Sequence, residues 1–444
     1  MTGGATPATV RLANTLSDGA RARRTVLALV CAAIALSLLV VRAWRIDYDY
    51  SIDFQAYWLA GQRILAGEAA DLYTAGGGPE AGTPRVLPAA EFKNLPVVAL
   101  PFAPLATADY LTAKRLFWWS GLAALIGTAA ILGTTVVPQR LGGTLARSAA
   151  ALALVCVLAP AHTALRHGQT TPLVALAVSG YLAASLGGRR VVAGLLLAAA
   201  GAVKWPAWIL AAADALRRRW RLVTAFAASI FALVLTSVTL FGVALHREYV
   251  AEIGSHAGAV MTGHNNQSVA AVLTRLTSPV PVNDWTPRPM TGEVRALALV
   301  VSLVLLATVI AFLLPRRSGN GVDGRTRQLL EFAAVTALAI IILPVAWDHY
   351  FLLLAPGLAA LAAGLHARGL LARPAFLAGW ITATAAIGLP TPQYFLDRAG
   401  EIGWPGALIL SHYFLGALLV IAVAGSGLRV AARPGGEVKG GVPQ

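Results

Sequence analysis

The stretch IDYDYSIDFQAYWLAG, residues 46–61, places Asp47, Asp49 and Asp53 directly after an apolar segment. A carboxylate there can take a proton from an attacking hydroxyl, and an Asp-x-Asp pair can hold a metal ion. Further polar residues stand at the ends of other apolar runs. HTALRHGQTT supplies His162, Arg166, His167 and Gln169, and Lys204 interrupts a greasy stretch at Lys-Trp-Pro. GHNNQSVAAVLTRL supplies His264, Asn265, Asn266, Gln267, Ser268 and Arg275. PVAWDHYFLL supplies Trp347, Asp348, His349 and Tyr350, and a last loop brings Gln393, Tyr394 and Asp397.

One carboxylate base, a lysine, one or two arginines and several imidazoles and amides suit transfer from a phosphate-activated donor. The carboxylate deprotonates the attacking hydroxyl, the cations balance the departing phosphate, and amides and imidazoles hold sugar hydroxyls. No phosphate-cradling Gly-rich loop, HExxH, CxxC or GxSxG pattern occurs. Each residue alone has a plain reading: Lys204 can snorkel, Asp348 can cap a helix, and Trp and Tyr at span ends form an aromatic belt. Their gathering on one face is what points to chemistry, because ionisable groups near membrane depth are costly.

The elements that must position them are membrane helices. The 444 residues are 57% hydrophobic and 12% charged, against about 25% charged in soluble domains. The net charge of +15 comes from short arginine clusters between apolar runs, so nucleic acid is not the expected partner. Cys31 and Cys156 both lie in apolar runs, which argues against a disulfide framework or a thiolate metal site. Apolar stretches fall at 25–43, 112–136, 148–161, 171–187, 191–203, 206–216, 222–243, 294–314, 328–345, 350–365, 374–390 and 406–428. With the N-terminus inside, the inner segments collect 21 of the 35 Lys and Arg residues, as the positive-inside rule requires. The expectation is an all-α polytopic membrane protein of about twelve spans. It has a tail at 1–24, one transmembrane catalytic domain at 25–430 and a second tail at 431–444, both tails disordered and cytoplasmic. The first outer loop, 44–111, is large, and its Pro-rich part at 95–106 is expected to form an interfacial helix. The pair at 191–216 is expected to be two helices broken at Lys204.

Five short motifs then occur in order: Asp53-Phe-Gln-Ala-Tyr57, His167-Gly168-Gln169, Lys204-x-Pro206, Asn266-Gln267-Ser268 with Arg275, and Trp347-Asp348-His349-Tyr350. Over about residues 45–410 the chain resembles glycosyltransferase family 87. These are GT-C-fold membrane enzymes that include polyprenol-phosphate-mannose-dependent α-mannosyltransferases. The resemblance implies a polyprenyl-phosphate-sugar donor, a glycolipid or lipid-linked glycan acceptor, a site on the outer face of the cytoplasmic membrane, and no organic cofactor. It makes Asp53 the catalytic base and brings His349 to the site. Lys204 and Arg275 would face the donor phosphate. Tyr57, His167, Gln169, His264, Asn266, Gln267, Trp347 and Asp348 would shape the substrate pocket. The chain departs from the family in having Phe92-Lys93-Asn94-Leu95-Pro96 where Tyr-Pro-Pro is common, His167 before Gly-Gln, and His349-Tyr350 in place of two histidines. The sugar thus stays open between a hexose such as mannose and arabinofuranose. The Trp-x-His element favours the hexose.

Asp47 and Asp49 read as solvated loop residues rather than a metal pair, since a donor with one phosphate gives a metal less to hold. A transporter or lipid flippase is the main rival, and a membrane scaffold is a third reading. Transporters commonly carry internal repeats and keep their key charges near the midplane. No repeat is evident here, and the charges collect at one surface.

Overall fold

A computed structural model describes residues 7–44, 52–73, 92–255, 258–314 and 322–430. Asp47, Asp49 and the tail at 431–444 lie outside the described residues. The chain is an almost wholly helical polytopic membrane protein, with one short antiparallel strand pair, Ala259–Val260 with Arg288–Pro289, among the described residues; each of the twelve apolar stretches lies mostly on helix. Helix α1 (Pro7–Ala43) leads to α2 (Ile52–Ala66), a 3-10 segment at Pro96–Phe102, and α3 (Ala103–Ala106). The next helices are α4 (Tyr110–Thr135), α5 (Thr144–Val157), α6 (Ala159–His167) and α7 (Thr171–Leu186). Then come α8 (Arg190–Val203), α9 (Pro206–Leu216), α10 (Trp220–Ser255) and α11 (Val269–Thr277). The chain continues through α12 (Gly292–Leu313), α13 (Gly324–Ile341) and α14 (Leu354–Ala367). It ends with α15 (Pro374–Gly388), α16 (Gln393–Ile402), α17 (Trp404–Leu410) and α18 (His412–Arg429).

Among the described residues six helices are long and apolar enough to cross a membrane: Gly19–Ala43, Tyr110–Thr135, Trp220–Gly254, Gly292–Leu313, Asp348–Ala367 and His412–Arg429. The pair α5–α6, bent by 69°, makes a seventh if it counts as one span. The rest of the expected twelve are shorter, or, like α13, carry three charges. Such short and broken helices are tolerated at membrane depth where neighbouring protein covers them. Helix α1 begins at Pro7, so the segment expected as a disordered tail at 1–24 is helical over most of its length. The reason lies in its composition, with Ala, Leu and Arg dominant and no proline after Pro7.

Helix starts follow local chemistry. Asp109 Oδ1 accepts the Thr112 N–H at 3.0 Å, Asp323 Oδ1 accepts the Thr326 N–H at 3.0 Å, and Ser268 Oγ accepts the Ala271 N–H at 3.2 Å. Proline stands in the first turn of α6, α7, α9 and α15, where its missing N–H costs nothing. The break between α8 and α9 is at Lys204, whose backbone is extended. Helix α10 breaks at Gly242, with φ 76° and ψ 164°.

Helix α13 is the centre of the bundle: every residue from Leu329 to Ile341 is buried, against α14, α18 and α9. Helices α1, α10 and α12 sit at the periphery. Phe231, Leu235 and Leu299 stay exposed there, an apolar surface suited to lipid. Lipid is as apolar as leucine, so these helices associate by close packing of small residues. A Cβ added at Gly133 would lie 2.4 Å from the Ser148 Cα, which shows how near α4 comes to α5.

The two ends of the bundle differ in chemistry. At one end arginines cap helix C-termini: Arg24 donates to Arg140 O at 3.0 Å, Arg217 to Leu313 O at 2.7 Å and Arg327 to Leu314 O at 2.9 Å. There Asp214 also accepts from Tyr181 (2.7 Å) and Arg219 (2.8 Å), while Glu331 pairs with Arg327 (2.7 Å) and Arg217 (3.2 Å). At the other end the described part of the first loop folds into its own aromatic core of Phe54, Tyr57, Phe92, Phe102 and Phe117. Tyr57 stacks on Phe102 with centroids 4.6 Å apart. This core seats α2 across the ends of the spans, with Asp53 in its first turn.

Candidate active site

Helix α6 ends at His167 because Gly168 takes the left-handed conformation (φ 66°, ψ 44°) and returns its N–H to Leu165 O. The same glycine lets α2 approach: a Cβ there would sit 2.4 Å from the Phe54 Cβ. The contact sets Asp53 beside His167, with Asp53 Oδ2 3.9 Å from His167 Nδ1. Their side chains are 37% and 31% exposed, so both can reach a substrate. We expect Gly168→Ala to lower transfer activity by about 100-fold by displacing Asp53, with the variant still purifying as a folded protein. Unchanged activity in a detergent assay would refute this coupling of α2 to α6.

The residues after Gly168 build the floor. Gln169 Oε1 accepts from Lys204 Nζ at 3.0 Å, and both side chains are buried. Lys204 Nζ also lies 4.4 Å from the centre of the Tyr350 ring, a cation–π contact of the kind strengthened by desolvation. Lys204 thus has an amide and an aromatic face, but no carboxylate in contact among the described residues. The charge of Asp53 is felt at Lys204, His349, Tyr350 and Tyr57. Tyr57 OH is 3.4 Å from Thr170 Oγ1 and accepts from Asn94 Nδ2 at 3.4 Å.

His349 and Asp348 open the 3-10 segment Asp348–Leu353 ahead of α14. Asp348 Oδ1 accepts the His349 N–H at 2.7 Å and lies 3.6 Å from His349 Nδ1. His349 is 4% exposed, and its Nε2 is buried without a hydrogen-bond partner among the described residues. Native structures leave few such atoms unbonded.

The structure therefore brings Asp53, Tyr57, His167, Gln169, Lys204, Asp348 and His349 together. Other expected pocket residues are spent on the protein itself. Asn266 pairs with Trp347 in an antiparallel bridge, and its Oδ1 accepts the N–H groups of Ala346 (3.0 Å) and Ser268 (3.2 Å). Gln267 donates to His264 O (2.6 Å) and Leu410 O (2.7 Å). Arg275 is buried and donates to Gly263 O (3.0 Å), Asn266 O (2.8 Å) and Ser411 Oγ (3.2 Å). Burial lowers its pKa to about 9, so it remains a cation at neutral pH while bonding carbonyls. Asn266 and the Gln267 backbone thus hold the segment at Ala346 and Trp347, and Arg275 braces the loop that carries them. His264 stands edge-on to Trp285, 5.9 Å between centroids, and burial lowers its pKa. Gln393 and Asp397 bond each other at 2.8 Å on the surface. No cluster of three metal-ligating side chains occurs among the described residues. Tyr350, under Lys204, and Thr170, beside Tyr57, complete the site. Their sequence signal was adjacency to the His-Gly-Gln and Trp-x-His motifs.

The family model described as Glycosyltransferase family 87 matches residues 92–344, more than half of the chain. The chain belongs to glycosyltransferase family 87. It is thus a membrane glycosyltransferase, and its described residues are almost wholly helical, as the sequence led us to expect. The match takes in His167, Gln169, Lys204, Asn266, Gln267 and Arg275. Asp53 and Trp347–His349 lie outside it, and the fold carries them to His167 and Lys204. No curated protein matches the chain. Among solved structures it is similar to ArnT from Cupriavidus metallidurans bound to undecaprenyl phosphate, at 17% identity and a TM-score of 0.41, covering 91% of this chain and 78% of that one. The same ArnT in the apo state gives 17% identity and a TM-score of 0.39, covering 91% and 77%.

Proposed function

We propose that this glycosyltransferase moves a hexose, mannose first, from a polyprenyl-phosphate donor to a lipid-linked glycan or glycolipid on the outer face of the cytoplasmic membrane. The observation that carries this reading is the occurrence together of a reachable carboxylate, Asp53, and a buried cation, Lys204, that has no carboxylate in contact among the described residues. A donor phosphate supplies the missing anion. Asp53 takes the proton from the acceptor hydroxyl, whose oxygen then attacks the anomeric carbon. The bond from that carbon to the phosphate oxygen breaks, and the polyprenyl phosphate leaves with the electron pair beside Lys204. One displacement on a β-linked donor gives an α-glycoside. A single essential carboxylate suffices, because no glycosyl-enzyme forms. His349 Nε2, buried and without a partner among the described residues, would bind a sugar hydroxyl or the phosphate in this reading. The arginine-capped end of the bundle faces the cytoplasm in this reading, as the positive-inside rule asks.

The test is transfer of radiolabel from polyprenyl-phosphate-mannose to a membrane-lipid extract by purified protein in nanodiscs, with and without EDTA. The expected result is a labelled glycolipid whose yield EDTA leaves unchanged. Abolition by EDTA would reject the metal-free mechanism. Label that stays on the donor would reject mannose, and arabinofuranose would then be the sugar to try.

A further inference from the structure

Helix α17 ends at Leu410, Ser411 is fully buried, and α18 starts at His412. This break is clamped by the segment that follows β-strand residues 259–260. Gln267 Nε2 donates to Leu410 O at 2.7 Å, the Phe414 N–H donates to Gln267 Oε1 at 3.2 Å, and Arg275 donates to Ser411 Oγ at 3.2 Å. The same segment holds the other imidazole-bearing element: the Gln267 N–H donates to Ala346 O at 2.7 Å and the Asp348 N–H to Asn265 O at 2.8 Å. One loop therefore fixes two histidines, His349 and His412. Asp348 acts electrostatically on both.

The ring of His412 is locked. Its Nδ1 lies 2.6 Å from the Ala386 carbonyl oxygen of α15, and the ring packs on Tyr413 with centroids 4.2 Å apart. A carbonyl oxygen only accepts, so Nδ1 carries the proton, and in the neutral ring Nε2 is an acceptor. That Nε2 is buried and has no partner among the described residues. Buried polar atoms of this kind call for an explanation, and the clamp on Ser411 shows that the ring's position is held by tertiary bonds.

We propose that His412 is a substrate-contacting residue of this enzyme, its Nε2 accepting a hydrogen bond from a carbohydrate hydroxyl next to Asp348. The inference rests on the glycosyl-transfer reading above. A carboxylate and a lone-pair nitrogen on two segments that one loop holds together both seek donors. They suit a neutral, hydroxyl-rich sugar and repel the acceptor-only oxygens of a phosphate. The donor phosphate thus belongs at Lys204, and this corner belongs to a sugar ring.

The test compares wild type, His412→Phe, His412→Ala and His412→Gln in steady-state transfer from polyprenyl-phosphate-mannose to the lipid extract, with melting temperatures alongside. Phe keeps the packing on Tyr413 and removes Nε2 together with the Nδ1 bond to Ala386 O, and Gln restores an accepting oxygen. The expected result is a kcat/KM lower by about 10–100-fold in the Phe and Ala variants, with partial recovery in Gln and a melting temperature near wild type for Phe. A rise in donor KM assigns the hydroxyl to the transferred sugar, and a rise in acceptor KM assigns it to the acceptor glycan. Wild-type kcat/KM in His412→Phe overturns the proposal, leaving transfer itself intact. Absence of transfer by the wild-type protein overturns the functional reading and this inference with it.

Discussion

Asp53→Asn is expected to lower the turnover number by about 10²–10⁴-fold, the usual share of a general base, while donor binding stays within a few-fold of wild type. The asparagine keeps the size of the side chain and the close packing of α2, where a Cβ added at Gly61 would lie 2.6 Å from Phe102 O. Only the ability to take a proton goes. Asp53 is 37% exposed beside His167, so the melting temperature should move little. Single-turnover label transfer together with equilibrium binding of the donor separates the two effects. Full activity of the variant would remove Asp53 from the mechanism and leave Asp348 as the carboxylate to try.

Lys204→Met is expected to cost about 10²–10³-fold in transfer, the scale of losing one electrostatic contact to the charge that develops on a leaving group. The donor should also bind more weakly. Methionine fills a similar volume and keeps contact with the Tyr350 ring, but it leaves Gln169 Oε1 without its 3.0 Å donor. A double substitution with Gln169→Leu isolates the phosphate effect: the loss in transfer should remain when the amide is removed as well. If Lys204 were a packing residue alone, Lys204→Met would bind donor as tightly as wild type. That result would relocate the phosphate.

Much of the fold was legible because the signals were local. Proline at 206 after a run of small apolar residues marks a helix start, and Lys204 just before it marks the break. The Pro-rich 95–106 segment does form helix, as 3-10 turns followed by α3. The length of α1 and the break of α10 at Gly242 were not legible. Hydropathy locates apolar cores but is blind to polar helix before them, and a lone glycine in an apolar run is ordinary in membrane helices.

The sequence by itself determined the class of protein, the helical stretches, the family motifs and the residue types of the site. Those follow from composition and short-range order, which the chain carries without folding. Only the tertiary structure decided which polar groups are free to act. Asn266, Gln267 and Arg275 look like ligands in the sequence, but folding commits them to backbone carbonyls and amides, because buried backbone groups must be bonded. His412 falls inside the apolar run 406–428 with no motif around it, yet the break at Ser411 and the Ala386 carbonyl leave its Nε2 without a partner among the described residues. Asp53 meets His167 only because Gly168 has no side chain to keep α2 away. Hydrogen-bond capacity belongs to the residue type, whereas its use depends on partners that are distant in sequence.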